Sequence, residues 1–229
     1  MLSERDPSSK PAEFPANGFI TSVERQKRNP KRYNIYVNEH FTFSVHEDIL
    51  IKHRLLKGEE IFLERMKEIV ADEEKQKATN HALSYLARKP RSVAQVKEKL
   101  KVKGHDTEII DLVINQLKEN NYLNDRDYAH TVAQYYIKQN KGRKWVSQKL
   151  SQDGISKEYI QEALADMDED NEFSTALHIA LKRWKSKKED DDIYSVQRKM
   201  AAFLIRKGYS GSVVNKVLKE IRLSEGKDL

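Results

Sequence analysis

An internal repeat limits what this chain can fold into more than any other feature. Align Gly104, Gly154 and Gly208. Eight residues before each stands Val96, Val146 or Met200, and four before each stands Leu100, Leu150 or Leu204. Six residues after each glycine come Ile110, Ile160 and Val214, and ten after come Ile114, Leu164 and Leu218. Apolar residues at i and i+4 predict one buried helical face, closed by a glycine suited to the left-handed conformation that ends a helix. Two residues later Asp106, Ser156 and Ser210 fall where the next helix needs an N-cap. A further helix precedes each pair: Ala82 to Arg88, Tyr128 to Gln139, and Phe173 to Trp184. Ser92 and Gln95 have the spacing of a capping box. Each repeat is therefore a three-helix unit. Units this small bury little alone, so the expected fold is mostly α, with three units stacked end to end into an elongated, curved array.

Proline usage agrees. The five prolines are Pro7, Pro11, Pro15, Pro30 and Pro90, and residues 91–229 contain none. Residues 1–17 carry Ser, Pro, Lys and Glu with little to bury and are expected to be a flexible leader. From Phe19 the alternating Tyr33-Asn34-Ile35-Tyr36-Val37 and Phe41-Thr42-Phe43-Ser44-Val45 favour strands, with a tight turn over Asn38-Glu39-His40. Helical spacing follows at Ile49, Leu50, His53 and Leu56, stops at Gly58, and resumes through Ile61, Phe62, Met66, Ile69 and Val70. The predicted order is a leader at 1–17, a β-hairpin and helix module at 18–71, three-helix repeats at 72–124, 125–170 and 171–223, and a tail at 224–229. The third repeat gains an insertion around Lys185 to Asp192.

Charge is patterned along the repeats. Between Arg88 and Lys103 seven basic residues face Glu98 alone, and between Lys138 and Lys149 five basic residues face no acid. Both runs cover the loop into the middle helix and that helix itself. The third repeat follows less cleanly, with Lys182, Arg183, Lys185, Lys187 and Lys188 and then Glu189-Asp190-Asp191-Asp192; its middle helix adds Arg198, Lys199, Arg206 and Lys207. The helix after each glycine is acidic instead: Asp106, Glu108, Asp111 and Glu119, then Glu158, Glu162 and Asp166. A merely solvated face mixes both signs. Segregation in register points to a polyanionic or acidic partner on the basic side. It argues against a helix-turn-helix reader, whose last helix would carry these carboxylates toward phosphates. Non-specific nucleic-acid contact through the middle helices stays open. Tyr128, Tyr135, Tyr136 and Trp145 interleave with the second basic run, and at helical spacing they suit a core better than base stacking.

Catalytic signatures are missing. There is no cysteine, so disulfides, thiol chemistry and cysteine metal sites are excluded. Gly104 and Gly142 are isolated and no Walker-type phosphate loop occurs. The seven histidines are scattered without a metal-ligating motif, and His46 and His53 at i, i+7 make a poor metal site. The acidic runs Asp166 to Asp170 and Glu189 to Asp192 fit linkers between units better than ion sites. No catalytic residue, cofactor or metal is expected. At 34% charged and 38% hydrophobic the 229 residues hold no apolar stretch near the roughly 18 that a bilayer needs, and the N-terminus lacks a signal-peptide core, so a cytoplasmic protein is expected.

The run Ala82-Leu83-x-x-Leu86, then Arg88-x-Pro90-Arg91-Ser92-x-x-x-Val96-x-x-Lys99-Leu100-x-x-x-Gly104, resembles the first-repeat signature of the RecX regulatory proteins. So do Asn121-Tyr122-Leu123-Asn124-Asp125-x-x-Tyr128-Ala129, Lys141-Gly142, and Gly154-Ile155 followed by Ile160 and Ala163-Leu164. The leading hairpin and the segment from Val45-His46-Glu47-Asp48 to Gly58-Glu59 are similar to the longer members from low-GC Gram-positive bacteria. The resemblance covers about residues 18 to 223, and the third repeat matches less closely. It implies a protein that binds the groove of the RecA–single-stranded DNA filament and modulates, usually by inhibition, its ATPase and strand exchange, as a recombination regulator in DNA repair and the SOS response; a monomer is expected. Several weak charged contacts would sum along the array. The residues expected to carry them are Arg88, Arg91, Lys97, Lys101, Lys138, Lys141, Arg143, Lys144 and Lys149. The alternative is a general module for single- or double-stranded DNA acting without RecA.

Overall fold

The structure, a computed structural model, describes residues 17–165, 167–185 and 192–225. Most of the leader, the insertion residues Ser186 to Asp191, Asp166 and the end of the tail lie outside the described residues. The chain divides into two compact units, Met1–Ser84 with Leu100–Val113, and Tyr85–Lys99 with Ile114–Leu229.

The first unit holds a four-stranded antiparallel sheet of β1 (Asn17–Arg25), β2 (Arg32–Val37), β3 (His40–His46) and β4 (Glu60–Phe62), in the order β3-β2-β1-β4. Asn38 and Glu39 take φ of 49° and 69°, the two left-handed positions of a turn whose twist matches a hairpin. One sheet face buries Ile20, Ile35, Val37, Phe43, Val45 and Ile61 against Ile49 of α1 (Glu47–Lys52) and Met66 and Ile69 of α2 (Leu63–Leu86). A buried ion pair pins the sheet to α2. Glu73, 3% exposed, accepts from Arg32 at 2.7 Å and from the His46 backbone at 2.7 Å, so both carboxylate oxygens are satisfied. The structure corrects one expectation here. Ile61 and Phe62 are a strand paired with β1 rather than the start of a helix, because a short apolar run carries no period to separate the two.

The repeat frame predicts the helices that follow: α3 (Val93–Val102), α4 (Thr107–Glu119), α5 (Asp125–Lys138), α6 (Arg143–Gln152), α7 (Lys157–Ala163), α8 (Glu169–Trp184), α9 (Ile193–Lys207) and α10 (Gly211–Glu225). The end of α2 supplies the first helix of the first triad, and α2 runs unbroken through residues 71 and 72. Val96, Leu100, Val146, Leu150, Met200 and Leu204 are all buried, as are Ile110, Ile160 and Val214. Gly104, Gly154 and Gly208 have φ of 83°, 81° and 95°. Ser156 and Ser210 accept the backbone N–H of Tyr159 and Val213, and Ser92 and Gln95 bond reciprocally as a capping box. The second triad closes around Ala129, Ala133, Val146, Leu150 and Leu164, and the third around Ala176, Trp184, Met200, Tyr209 and Val217.

Candidate partner-binding face and the joints between repeats

Within the second unit, consecutive triads meet through one recurring joint: the N-terminus of a middle helix sits against the glycine corner that ends the next middle helix. At the first joint Ser92, fully buried, donates its hydroxyl to the Asp153 carbonyl at 2.6 Å. The Asp153 carboxylate, also buried, accepts from Gln95 at 2.8 Å, Tyr128 at 3.0 Å and Lys149 at 2.5 Å. Burial, helped by the neighbouring Asp153 charge, pushes the Tyr128 phenol up to about 12, so it stays a donor at neutral pH. At the second joint the backbone does the same work. Gly142 donates to the Lys207 carbonyl at 2.8 Å and Lys144 to the Gly208 carbonyl at 3.1 Å. Tyr209, its phenol likewise pushed up to about 12 by burial, donates to the Asn140 carbonyl at 3.1 Å.

Each joint also caps a middle helix with an acid from the first helix of the following triad. The Val93 N–H donates to Asp125 at 2.8 Å, and the Arg143 N–H to Glu172 at 2.7 Å. These are orphan donors at the positive end of a helix, where a carboxylate is favoured. Burial pushes both carboxyls above their ordinary values, and the backbone hydrogen bonds pull the other way.

These joints sort the nine basic residues expected to bind a partner. Arg143 is half-buried and its guanidinium donates to the Leu164 and Met167 carbonyls, closing the second triad. Lys149 is paired with Asp153. Arg91 lies 4.0 Å over the Tyr85 ring with its Nε buried and without a hydrogen-bond partner, and Lys141 lies 4.3 Å over Trp145. Arg88, Lys97, Lys101, Lys138 and Lys144 are exposed, with Lys97 and Lys101 one turn apart on α3. Lys144 and Arg143 open onto a cleft of about 650 Å³ walled by Ser147, Gln148, Ser151 and Gln152 of α6 and closed by Ser210 and the Glu172 carboxylate. Hydroxyls and amides beside cations are the usual donors to a phosphate backbone. The aromatics divide as well: Tyr128 is buried, while Tyr135, 58% exposed, leads edge-on through Tyr136 to Trp145 at centroid distances of 5.0 and 4.5 Å.

Sequence reasoning missed Asp125, Asp153, Glu172 and Gly142 as joint residues. Two signals were present: Gly142 occupies the place of Ser92 in the repeat frame, and Lys149 and Asp153 stand at i, i+4. The pairing of Glu172 with the α6 N-terminus had none. His46 caps α1 and His53 contacts Asp72 at 2.7 Å; among the described residues no group of three His, Asp or Glu could hold a metal. No described helix is long and apolar enough to cross a membrane.

Tandem three-helix units joined corner to corner, following a small strand module in chain order and with cations recurring on the middle helices, define a modular helical-repeat protein. The chain matches the N-terminal domain of regulatory protein RecX over residues 18–62 and the first, second and third three-helix domains of RecX over 78–117, 124–164 and 169–218. It is 35% identical over 205 residues to the regulatory protein RecX of Clostridioides difficile (strain 630), covering 89% of this chain and 96% of the relative. Identity to the regulatory protein RecX of Clostridium botulinum (strain Eklund 17B / Type B) is 33%, covering 88% and 95%. A crystal structure of regulatory protein RecX superposes with a TM-score of 0.67 at 28% identity, covering 87% of this chain and 98% of that one. That of RecX from Lactobacillus salivarius gives 0.58 at 25%, covering 66% and 97%. The chain belongs to the RecX family of regulatory proteins.

Proposed function

We propose that this protein binds the RecA–single-stranded DNA filament through the basic side of its repeats and inhibits the filament's ATPase and strand exchange, acting as a monomer in the cytoplasm during DNA repair. The observation that carries the reading is the recurrence of exposed cations on successive middle helices, Lys97 and Lys101 on α3 and Lys144 on α6, with Arg88 and Lys138 on the segments leading into them. A partner that repeats along its own axis suits contacts that repeat along the chain, because individually weak interactions gain by being linked.

The test is RecA ATPase on single-stranded DNA, titrated with this protein. Inhibition is expected well below one copy per RecA, and the quadruple reversal of Arg88, Lys101, Lys138 and Lys144 to Glu is expected to abolish it with the helical circular dichroism unchanged. No inhibition at equimolar protein, together with tight, steeply salt-dependent binding to bare DNA, would replace the filament by a general nucleic-acid module.

A further inference from the structure

The sheet of the strand module has a second face, opposite its own core. Side chains alternate across a strand, and the register puts Ile20, Ile35, Val37 and Val45 on the buried side. Phe19, Tyr36 and Phe62 are next to these or to the buried Ile61 and stand on the other side, and a bulge in the β2–β3 pairing brings Phe41 opposite Tyr36 onto that same side. Tyr36 and Phe41 are opposite each other across β2 and β3 with ring centroids 5.9 Å apart, edge to face. Phe19 of β1 lies opposite Glu60 of β4, with Phe62 two residues along. The three phenylalanines are 55%, 43% and 49% exposed, although a core with room for Phe43 lies on the reverse of the same sheet. Beside them the face carries the short polar side chains Ser22, Asn34 and Ser44 and the carboxylate of Glu24, which lies opposite Asn34.

At the far end of β1 and β2 the connecting hairpin is strongly basic: Arg25, Lys27, Arg28, Lys31 and Arg32, with no acid among residues 25–32. Arg32 is committed to Glu73 and Lys31 to Glu47. The Arg25 side chain donates to the Pro30 carbonyl and forms no ion pair among the described residues. Lys27 and Arg28 are exposed and form no ion pair among the described residues. The hairpin cations begin about 13 Å along β2 from Tyr36. The acids of the open face are Glu24, which accepts from Ser22 at 3.1 Å, and Glu60 on the β4 edge.

We infer that this sheet face binds single-stranded nucleic acid, with bases stacked on Phe19, Tyr36, Phe41 and Phe62 and the phosphate backbone held by Arg25, Lys27 and Arg28. Aromatic faces accept any unpaired base, and a basic groove or edge supplies the sequence-independent part of the affinity. Glu60 keeps the phosphates off the β4 edge and turned toward the hairpin. Duplex bases, already stacked on one another, cannot use the rings. The site lies on a different module from the repeat cations and does not depend on the filament reading.

The experiment uses the full chain, without RecA, and a fluorescein-labelled oligothymidylate of about 16 nucleotides, the upper site size of a single binding fold. Anisotropy at low salt should show Phe19→Leu/Phe62→Leu and Lys27→Glu/Arg28→Glu each weakening binding by about tenfold. A bromouracil-substituted strand should cross-link to peptides within residues 17–44. The hairpin variant changes only exposed side chains, so it tests the site even if the aromatic variant fails to fold. Parent-like affinity in the hairpin variant, cross-links confined to the three-helix repeats, or equal affinity for a duplex of the same length would overturn the inference and leave the face to a protein partner. RecA inhibition is read in a separate assay, so either reading can fail while the other holds.

Discussion

The two joints between triads share a topology and differ in what seals them. At the first, side chains converge: Ser92, Gln95, Tyr128 and Lys149 all bond Asp153. At the second, two backbones touch. A methyl group on Gly142 would lie 2.4 Å from the Gly208 carbonyl carbon, and one on Gly208 would lie 2.3 Å from the Trp145 Cβ and 2.5 Å from its backbone nitrogen. A side-chain seal can lose one member and keep the others. A backbone seal tolerates no added atom, because neither partner can rotate away.

The largest effect should therefore come from Gly208→Ala, which adds a contact with backbone to a left-handed φ; it should cost about 4 kcal/mol in denaturant unfolding. A cost below about 1 kcal/mol would break the distinction. Asp153→Ala should follow at about 2–3 kcal/mol, since it strands the buried Tyr128 and half-buried Gln95 donors, whereas Tyr128→Phe removes one bond and should cost about 1 kcal/mol. Equal losses for the two would mean that the cluster acts through that single bond. Gly104→Ala isolates backbone conformation: its φ is 83° with nothing within 4 Å of an added Cβ, so about 1 kcal/mol is expected by the same measurement.

The smallest effect is a pH dependence at the second joint. Burial raises the Glu172 carboxyl above its ordinary 4.5. A carboxyl with a raised folded value adds stability below the ordinary value and loses it as pH rises through the folded one. The parent should therefore gain on Glu172→Gln as pH falls from about 7 to about 4. Thermal melts at several pH values would read the difference, and a flat difference would mean that the Arg143 N–H offsets the burial in full.

Much of the fold is legible in the chain itself. The three glycines, the paired apolar positions and the Ser92–Gln95 box are local rules, decided within one or two helical turns, and each lands where the repeat frame puts it. The strand β4 is not legible, because three residues carry no period and owe their state to pairing with β1, about 40 residues earlier. The basic residues are legible as charges only. Arg143 and Lys144 are adjacent in the chain, yet Arg143 spends its donors on Leu164 and Met167 while Lys144 faces solvent.

The sequence by itself determined the repeat, its three helices per unit, the capping chemistry and the middle helices of the first two units as the places where positive charge gathers, since these follow from spacing along one helix. Only the tertiary structure decided which cations are spent inside the joints, that Asp125 and Glu172 cap helices of the preceding triad, and that the strand module leaves a row of aromatics open to solvent. Those outcomes depend on partners brought close by packing, where hydrogen-bond geometry and desolvation, rather than residue type, set what each group can still do.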